Sequence, residues 1–412
     1  VALLKAGLVT FYHIHHYGAL FQAAATERAV EHFGWDCEIV DYFVNQDNAL
    51  FKRPTGLGSA AHDAHTALHY KALSERYQRF ERFSRDHLRI SEHRYESFDE
   101  LAAAELPYDL ILSGSDQIWN PKIFPDGCFD PVFFGTFSQK RRIAYAPSFG
   151  IPAIPEGMQA ELKGYLEGFS HLSARERQGC AIIADTAGRE AAEVLDPTLL
   201  LTAEQWAAMA NHPADYPTGG YILCYCISAP GALTPYVECL AAETGLPVVQ
   251  LCGVRQKVHP KARCILSAGP AEFLGLFRDA AYVCTNSFHG TVFSVQFHRP
   301  FFTTVSPAEL SAPERSRTVS ILSRLGLADR VIGKGDTAEL LATVDWEAAE
   351  AALAAARKSS LDYLQAALEN RPYAVPEIQP ERQTGAPKLA ERSRCTGCTA
   401  CAAGCPKDAV AL

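Results

Sequence analysis

A short stretch in the second half of the chain combines a strand-like segment with side chains that can bind anions and move protons. Tyr282–Thr285 is apolar and rich in β-forming residues, which predicts a buried strand, and a polar turn then leads into a predicted helix over 291–298. Ser287 and His289 lie in that turn, where the start of a helix exposes free N–H groups that attract anions. A histidine there could transfer protons near neutral pH. In a simpler interpretation, Ser287 only caps the helix and His289 only satisfies a hydrogen bond.

The loop 113–121 follows a predicted strand and is dense in hydrogen-bonding side chains, namely Ser115, Asp116, Gln117 and Asn120. Loops at strand ends often carry binding and catalytic residues. A simpler interpretation is a turn in which the Asp and Asn side chains bond to their own backbone. Arg175 lies at the end of another predicted strand. Its forked guanidinium could bind a phosphate or a carboxylate, or it could form a salt bridge in solvent.

The turn 12–18 follows the first predicted strand and opens a predicted helix, so it is a third place where a ligand could bind. It contains Tyr17 and Gly18, together with three histidines, His13, His15 and His16. No carboxylate or cysteine joins these histidines at metal-ligand spacing, which argues against a tetrahedral metal site.

The C-terminus contains the most specific motif of the chain, a run of cysteines that fits the iron–sulfur pattern of bacterial ferredoxins. Gaps of two residues let one tight loop wrap a 4Fe-4S cube, and the spacings between the four cysteines do not pair as two zinc knuckles. The predicted ligands are Cys395, Cys398, Cys401 and Cys405. In two-cluster ferredoxins the fourth cysteine serves the other cluster, yet no second run precedes Leu412. We therefore expect a longer natural chain, ligands from another subunit, or an incomplete cluster.

The composition is close to that of an average globular protein, with 48% hydrophobic and 21% charged residues among 412. A net charge of −9 argues against a general nucleic-acid-binding protein, whose affinity depends on neutralising phosphates. The apolar runs are too short or too polar for a signal peptide or a membrane span. Most cysteines outside the C-terminal run stand among apolar residues, which favours free thiols in a reducing compartment. We expect a cytoplasmic protein, free or at the inner face of the membrane, without nucleic-acid partners.

The elements that must position these side chains alternate between β-prone runs and amphipathic helices, which predicts an α/β fold with two Rossmann-like units in series. The cleft between two such units is a common place for a donor and an acceptor to meet. The expected divisions are a first domain at 1–210 with a helical insertion at about 50–100, a second domain at 211–335, a helix at 336–372, a linker at 373–393 and the iron–sulfur segment at 394–412.

Several short motifs together resemble the polysaccharide pyruvyl transferase family over roughly residues 6–335. They are Tyr17-Gly18-Ala19 before a helix with Gln22, Gly114-Ser-Asp-Gln-Ile-Trp-Asn120, Tyr145-Ala-Pro-Ser-Phe-Gly150, Ser173-Ala-Arg-Glu176, Asp196-Pro197-Thr198, Asn286-Ser-Phe-His-Gly290 and Arg315-Ser-Arg317. The resemblance implies two Rossmann-like domains facing a cleft, as in GT-B glycosyltransferases. It also implies transfer of a pyruvyl group from phosphoenolpyruvate to sugar hydroxyls, which makes a ketal and releases phosphate.

The chemistry of the implied reaction suggests roles for several candidate residues. His289 would be the acid–base catalyst, Arg175 and Arg317 would bind the anionic donor, and Tyr17 with the Asp116–Asn120 loop would line the acceptor side. The expected binding residues are Tyr17, Gly18, Ser115, Asp116, Gln117, Asn120, Arg175, Ser287, Gly290 and Arg317. Pyruvyl transfer itself would need no cofactor.

The ferredoxin-type run leaves two other functions open, because ketal transfer involves no net redox change. One is an electron-transfer or reductase protein that acts on a sugar or nucleotide, with a redox partner or a further redox domain. Similar runs open proteins related to the beta subunit of deazaflavin-reducing hydrogenases. The other is a glycosyltransferase that uses a nucleotide sugar, which rests on fold analogy alone.

Overall fold

Two parallel β-sheets, one in each half of the chain, form the framework of the protein. A computed structural model describes residues 3–43, 66–251, 256–311, 316–332, 341 and 343–375. The strands of this part of the chain are β1 (Lys5–Val9), β2 (Asp36–Tyr42), β3 (Ile90–Tyr95), β4 (Leu110–Ser113), β5 (Arg141–Ala144), β6 (Phe169–His171), β7 (Ser173–Ala174), β8 (Ala192–Glu193), β9 (Ile222–Tyr225), β10 (Val248–Leu251), β11 (Arg263–Ile265), β12 (Tyr282–Thr285) and β13 (Phe301–Thr303).

Helices connect the strands and cover the sheets. In the described residues the α-helices are α1 (Tyr17–His32), α2 (Tyr70–His87), α3 (Phe98–Ala103), α4 (Gln159–Glu167), α5 (Arg177–Ala187), α6 (Ala203–Ala207), α7 (Thr234–Thr244), α8 (Pro270–Asp279), α9 (Phe288–Gln296), α10 (Pro307–Ser311), α11 (Arg317–Arg324) and α12 (Trp346–Leu368). Short 3-10 turns occur at Pro121–Ile123, Pro131–Phe134, Pro197–Leu199 and Ala328–Arg330.

The first sheet has the strand order β3-β2-β1-β4-β5-β6, and all its neighbouring strands are parallel. All residues of β4 are buried, as expected for a strand covered by helices on both faces. The strand order reverses between β1 and β4, whose last residues Val9 and Ser113 are paired. In open sheets of this type, ligands bind beyond the carboxyl ends of the strands at such a reversal.

The second sheet repeats this plan with the order β11-β10-β9-β12-β13, again parallel throughout. Its reversal lies between β9 and β12, and their last residues Tyr225 and Thr285 are paired. Both sheets are therefore Rossmann-like, and the predicted α/β fold class is confirmed. Each sheet offers one crevice for a ligand.

Hydrogen bonds join the two sheets within one compact unit, Val1–Tyr373. Arg79 on α2 donates to the backbone oxygen of Ser267 at 3.0 Å. The hydroxyl of Tyr17 on α1 donates to the backbone oxygen of Ala268 at 2.7 Å. Both hydrogen bonds connect a helix of the first half to the segment before α8. They therefore hold the two crevices in a fixed position relative to each other.

Helix α12 follows the second sheet in sequence but packs against the first. The hydroxyl of Tyr363 donates to the backbone oxygen of Ala144 at 2.8 Å. Arg141 on β5 donates to the backbone oxygens of Ala367 and Leu368 at 2.5 and 2.6 Å, and so binds the last carbonyls of the helix. The C-terminal helix thus closes the first half of the protein.

The insertion expected at about 50–100 contains helix α2, but Ile90–Tyr95 forms the edge strand β3. The predicted iron–sulfur ligands Cys395, Cys398, Cys401 and Cys405 lie outside the described residues, as does Arg315. None of the described helices has the length and apolar character needed to cross a membrane.

Candidate active site

Loops from both sheets meet around one cavity of about 280 Å³. The loops after β1 and β4 reach it from the first sheet, and the loops after β9 and β12 reach it from the second. Its polar lining consists of His16, Asp116, Gln117, Ser287, His289 and Arg317. The cavity therefore occupies the position at which both strand orders reverse, and it brings together five of the predicted site residues, namely Asp116, Gln117, Ser287, His289 and Arg317.

Helix α9 presents His289 to this cavity. Ser287 caps the helix, because its hydroxyl accepts a hydrogen bond from Gly290 N at 3.3 Å. His289 therefore lies in the first turn, where backbone N–H groups have no acceptor within the helix. Its ring rests on Gly18, where a Cβ would lie only 2.1 Å from His289 Nδ1. Glycine at position 18 therefore makes room for the imidazole and fixes its place.

The imidazole of His289 is neutral at pH 7. Burial, opposed by the nearby carboxylates of Asp196 and Asp116, lowers the pKa of His289 to about 4. Its Nε2 lies 3.8 Å from Asp196 Oδ2, which is too long for a hydrogen bond, and this nitrogen has no hydrogen-bond partner. A neutral histidine with an unpaired ring nitrogen can accept a proton from a bound ligand.

Arg175 and Asp196 form a buried ion pair behind His289. Arg175 Nη1 donates to Asp196 Oδ2 at 2.7 Å, and both side chains are buried. The other oxygen, Oδ1, accepts hydrogen bonds from the backbone N–H and the hydroxyl of Thr198 at 3.0 and 2.6 Å. Burial alone would raise the pKa of Asp196, but Arg175, His289 and Thr198 outweigh it and lower the pKa. This carboxylate stays ionised and holds Arg175 in place.

Phe288 brings two guanidinium groups together. The guanidinium carbons of Arg175 and Arg317 lie 5.0 and 5.2 Å from the centre of its ring, within cation–π distance. Burial and the neighbouring Arg175 lower the pKa of Arg317. Nε and Nη2 of Arg175 are buried without hydrogen-bond partners. Asp116, Glu176 and Asp196 already face Arg175 within 3.8 Å, so Arg317 is the guanidinium left to bind an anion in the cavity.

The loop after β4 is held by its own hydrogen bonds. Asp116 has a left-handed backbone with φ of +73°, which is uncommon outside glycine. Its Oδ1 accepts a hydrogen bond from Gln117 N at 2.9 Å, and Asn120 Nδ2 donates to Gln117 Oε1 at 2.8 Å. Burial would raise the pKa of Asp116, but Arg175 and His289 outweigh it and lower the pKa. The turn that is closed by its own hydrogen bonds is therefore the same loop that lines the cavity. Within this loop Asn120 orients Gln117.

Other predicted binding residues do not line this cavity. The hydroxyl of Tyr17 is used by Ala268, as described above, and the hydroxyl of Ser115 donates to a backbone oxygen at 2.9 Å. At Gly290 a Cβ would lie 2.3 Å from a side-chain oxygen of β12, so this glycine lets α9 approach the strand. These residues support the cavity through the surrounding elements.

Three residues at the site were absent from the predicted set. His16 lines the cavity, with its ring centre 6.2 Å from that of His289. It caps α1 by accepting a hydrogen bond from Ala19 N at 3.3 Å. Its position immediately before the predicted helix was therefore the sequence feature that could have identified it as a site residue. Burial lowers the pKa of His16. Phe288 and Asp196 stood within the quoted motifs, but nothing in their residue types indicated contacts with Arg175.

No metal-binding group emerges from the geometry in the described part of the chain. There, no three or more His, Cys, Asp or Glu side chains are placed to hold a metal ion. The iron–sulfur cluster therefore stays a prediction from the cysteine spacing.

The chain belongs to the polysaccharide pyruvyl transferase family, whose sequence profile matches residues 16–306. The match includes the cavity-lining residues from His16 to His289, and it identifies the chain as a transferase enzyme. No protein with a curated description matches the chain.

Three solved structures with similar folds are distant from this chain in sequence. UDP-GlcNAc 2-epimerase from Neisseria meningitidis is 9% identical, with a TM-score of 0.48 over 90% of this chain and 100% of that one. UDP-GlcNAc 2-epimerase from Methanocaldococcus jannaschii is 12% identical, with a TM-score of 0.45 over 85% and 93% of the two chains. The glycosyltransferase SnogD from Streptomyces nogalater is 10% identical, with a TM-score of 0.39 over 90% and 99%. Nothing about the substrate follows from likeness at this level.

Proposed function

We propose that the enzyme transfers a pyruvyl group from phosphoenolpyruvate to two hydroxyls of a sugar in a polysaccharide or its precursor, forming a ketal and releasing phosphate. The observation that carries this proposal is the meeting of His289, the start of α9 and Arg317 in one cavity. Membership of the pyruvyl transferase family supports it independently.

The charges around the cavity suit the proposed donor. Phosphoenolpyruvate carries a phosphate and a carboxylate on neighbouring atoms. The first turn of α9 offers backbone N–H groups and the positive end of the helix dipole. Arg317 reaches the same space, whereas Arg175 stands behind Phe288 and faces carboxylates. A compact anion with two acidic groups can meet both the helix start and a guanidinium.

His289 supplies the proton transfer that the reaction requires. When a sugar oxygen attacks the central carbon of phosphoenolpyruvate, the hydroxyl loses a proton and the methylene carbon gains one. A neutral imidazole can take the first proton and deliver the second. A second hydroxyl then displaces phosphate from the same carbon, and its proton leaves with the phosphate. The Nε2 without a hydrogen bond and the pKa of about 4 fit an imidazole that is neutral before the reaction begins.

The direct test measures ligand binding and turnover together. A ligand at 100 times its dissociation constant raises the free energy of unfolding by about 2.7 kcal/mol, so phosphoenolpyruvate should raise the melting temperature measurably. Phosphate release with sugar glycosides should follow, and His289→Gln should abolish release while keeping the melting shift. A shift with nucleotide sugars in place of phosphoenolpyruvate would overturn the proposal in favour of glycosyl transfer.

A further inference from the structure

A second cavity of about 340 Å³ adjoins the first. Gln117 and Arg317 line both cavities and form the boundary between them. The far side of the second cavity is lined by Ser148, Glu176 and Gln178 from the first half and by Glu309 on α10. The proposed donor site does not use this space.

The second cavity has the opposite charge preference. Glu176 and Glu309 face the single cation Arg317 in its lining, whereas the first cavity has only Asp116 to oppose Arg317 and the start of α9. Burial would raise the pKa of Glu309, but hydrogen bonds from Ser306 and Ser316 outweigh it and lower the pKa, so this carboxylate is charged at pH 7. Two carboxylates repel phosphate, so the second cavity suits a neutral ligand.

Glu176 has one carboxylate oxygen that forms an ion pair but no hydrogen bond. The residue is only 7% exposed, and its Oε1 accepts a hydrogen bond from the hydroxyl of Ser148 at 2.8 Å. The other oxygen, Oε2, has no hydrogen-bond partner and lies 3.7 Å from Arg175 Nε. A buried carboxylate oxygen without a donor costs free energy unless a ligand supplies one.

We propose that the second cavity holds the sugar acceptor and that the carboxylate of Glu176, which lines this cavity, accepts a hydrogen bond from one of its hydroxyls. This inference rests on the proposed pyruvyl transfer. A hexose is neutral and carries several hydroxyl donors, which complements Glu176, Glu309 and the side-chain amides of Gln117 and Gln178. The shared boundary at Gln117 and Arg317 then places the acceptor hydroxyls beside the donor. Glu176 thereby selects and orients the acceptor.

The test uses the full chain and a panel of probes, the methyl glycosides of glucose, galactose, mannose and N-acetylglucosamine. Saturation-transfer difference NMR detects weak binding of each glycoside, with and without saturating phosphoenolpyruvate. Glu176→Gln replaces the acceptor oxygen with a donor of the same shape. Glu193→Gln is the matched control, since that carboxylate pairs with Arg177 at 3.6 Å and does not line the second cavity.

The expected result is a signal from at least one glycoside that persists with phosphoenolpyruvate, survives in Glu193→Gln and falls at least tenfold in Glu176→Gln. If Glu176→Gln does not fold, Gln178→Trp tests the same cavity. Gln178 is partly exposed at the edge of the cavity, and the larger tryptophan side chain would fill it. Equal signals in the wild type and a folded cavity variant would overturn the inference, as would no glycoside binding at all. A missing melting shift with phosphoenolpyruvate counts only against the proposed donor, so the two failures are distinguishable.

Discussion

Replacing Gly18 with alanine tests whether this glycine fixes the position of His289. A Cβ at residue 18 would lie 2.1 Å from Nδ1 and 2.2 Å from Cε1 of the buried imidazole, where contacts below 3.0 Å are essentially never seen. The ring or helix α1 must therefore move. Overpacking of this kind costs about 1–3 kcal/mol of unfolding free energy. A displacement of about 1 Å at a catalytic group can also lower turnover by about 100-fold.

The control for this substitution is Gly164→Ala on α4. Gly164 is also helical, but a Cβ there would have no heavy atom within 4 Å. Alanine in an open helical position gains about 0.5–1 kcal/mol relative to glycine, because the unfolded chain loses conformational freedom. The two glycine-to-alanine changes should therefore alter stability in opposite directions. Urea unfolding followed by tryptophan fluorescence measures both, since Trp119 and Trp206 are fully buried.

A double-mutant cycle isolates the contact between Gly18 and His289. In the His289→Ala background the imidazole is gone, so the added methyl group enters vacant space. Gly18→Ala should then cost nothing or stabilise slightly, which gives a coupling energy of about 1–3 kcal/mol. Additive effects of the two substitutions, or a Gly18→Ala protein as stable and active as the wild type, would refute the reasoning.

Three further predictions concern the charged groups and the cysteines. In mildly acidic solution the unfolded chain binds a proton at His289 and the folded chain does not, because the folded pKa is about 4. Between about pH 6.5 and about pH 5 the wild type should therefore lose about 2 kcal/mol of unfolding free energy that His289→Gln retains. Equal losses for the two proteins in urea titrations would contradict this. Asp196→Asn should destabilise by about 3 kcal/mol, because it leaves Arg175 buried without its closest counter-ion, and a change below about 1 kcal/mol would argue against an ionised pair. Anaerobic reconstitution with iron and sulfide should give a broad visible absorbance band that Cys398→Ser weakens, and a band of unchanged intensity would exclude Cys398 as a ligand.

The local patterns of the sequence were sufficient to predict the strand–turn–helix unit that carries His289. The predicted strand Tyr282–Thr285 coincides with β12, but α9 begins at Phe288, before the predicted start at residue 291. The earlier start follows from Ser287, whose hydroxyl caps the helix and draws the intervening residues into its first turn. Capping is a local interaction, so the signal was present in the sequence.

Contacts between distant segments could not be predicted in the same way. Strand β3 has exposed polar residues because it lies at the sheet edge, so its alternation is too weak to indicate a strand. Arg175 pairs with Asp196 in the interior, whereas the sequence suggested a salt bridge in solvent as the alternative to anion binding. The sequence also does not show that one oxygen of Glu176 lacks a hydrogen bond, because this depends on where Ser148 and Arg175 are placed.

The return of α12 to the first sheet limits how this protein can be divided into exchangeable modules. Its residues Tyr363, Ala367 and Leu368 complete hydrogen bonds with β5, although the whole second sheet separates them in the chain. A chimaera that joined the first half of this chain to the second half of a relative would also import a foreign α12. Recombination between relatives is therefore expected to preserve function only when β5 and α12 are inherited together.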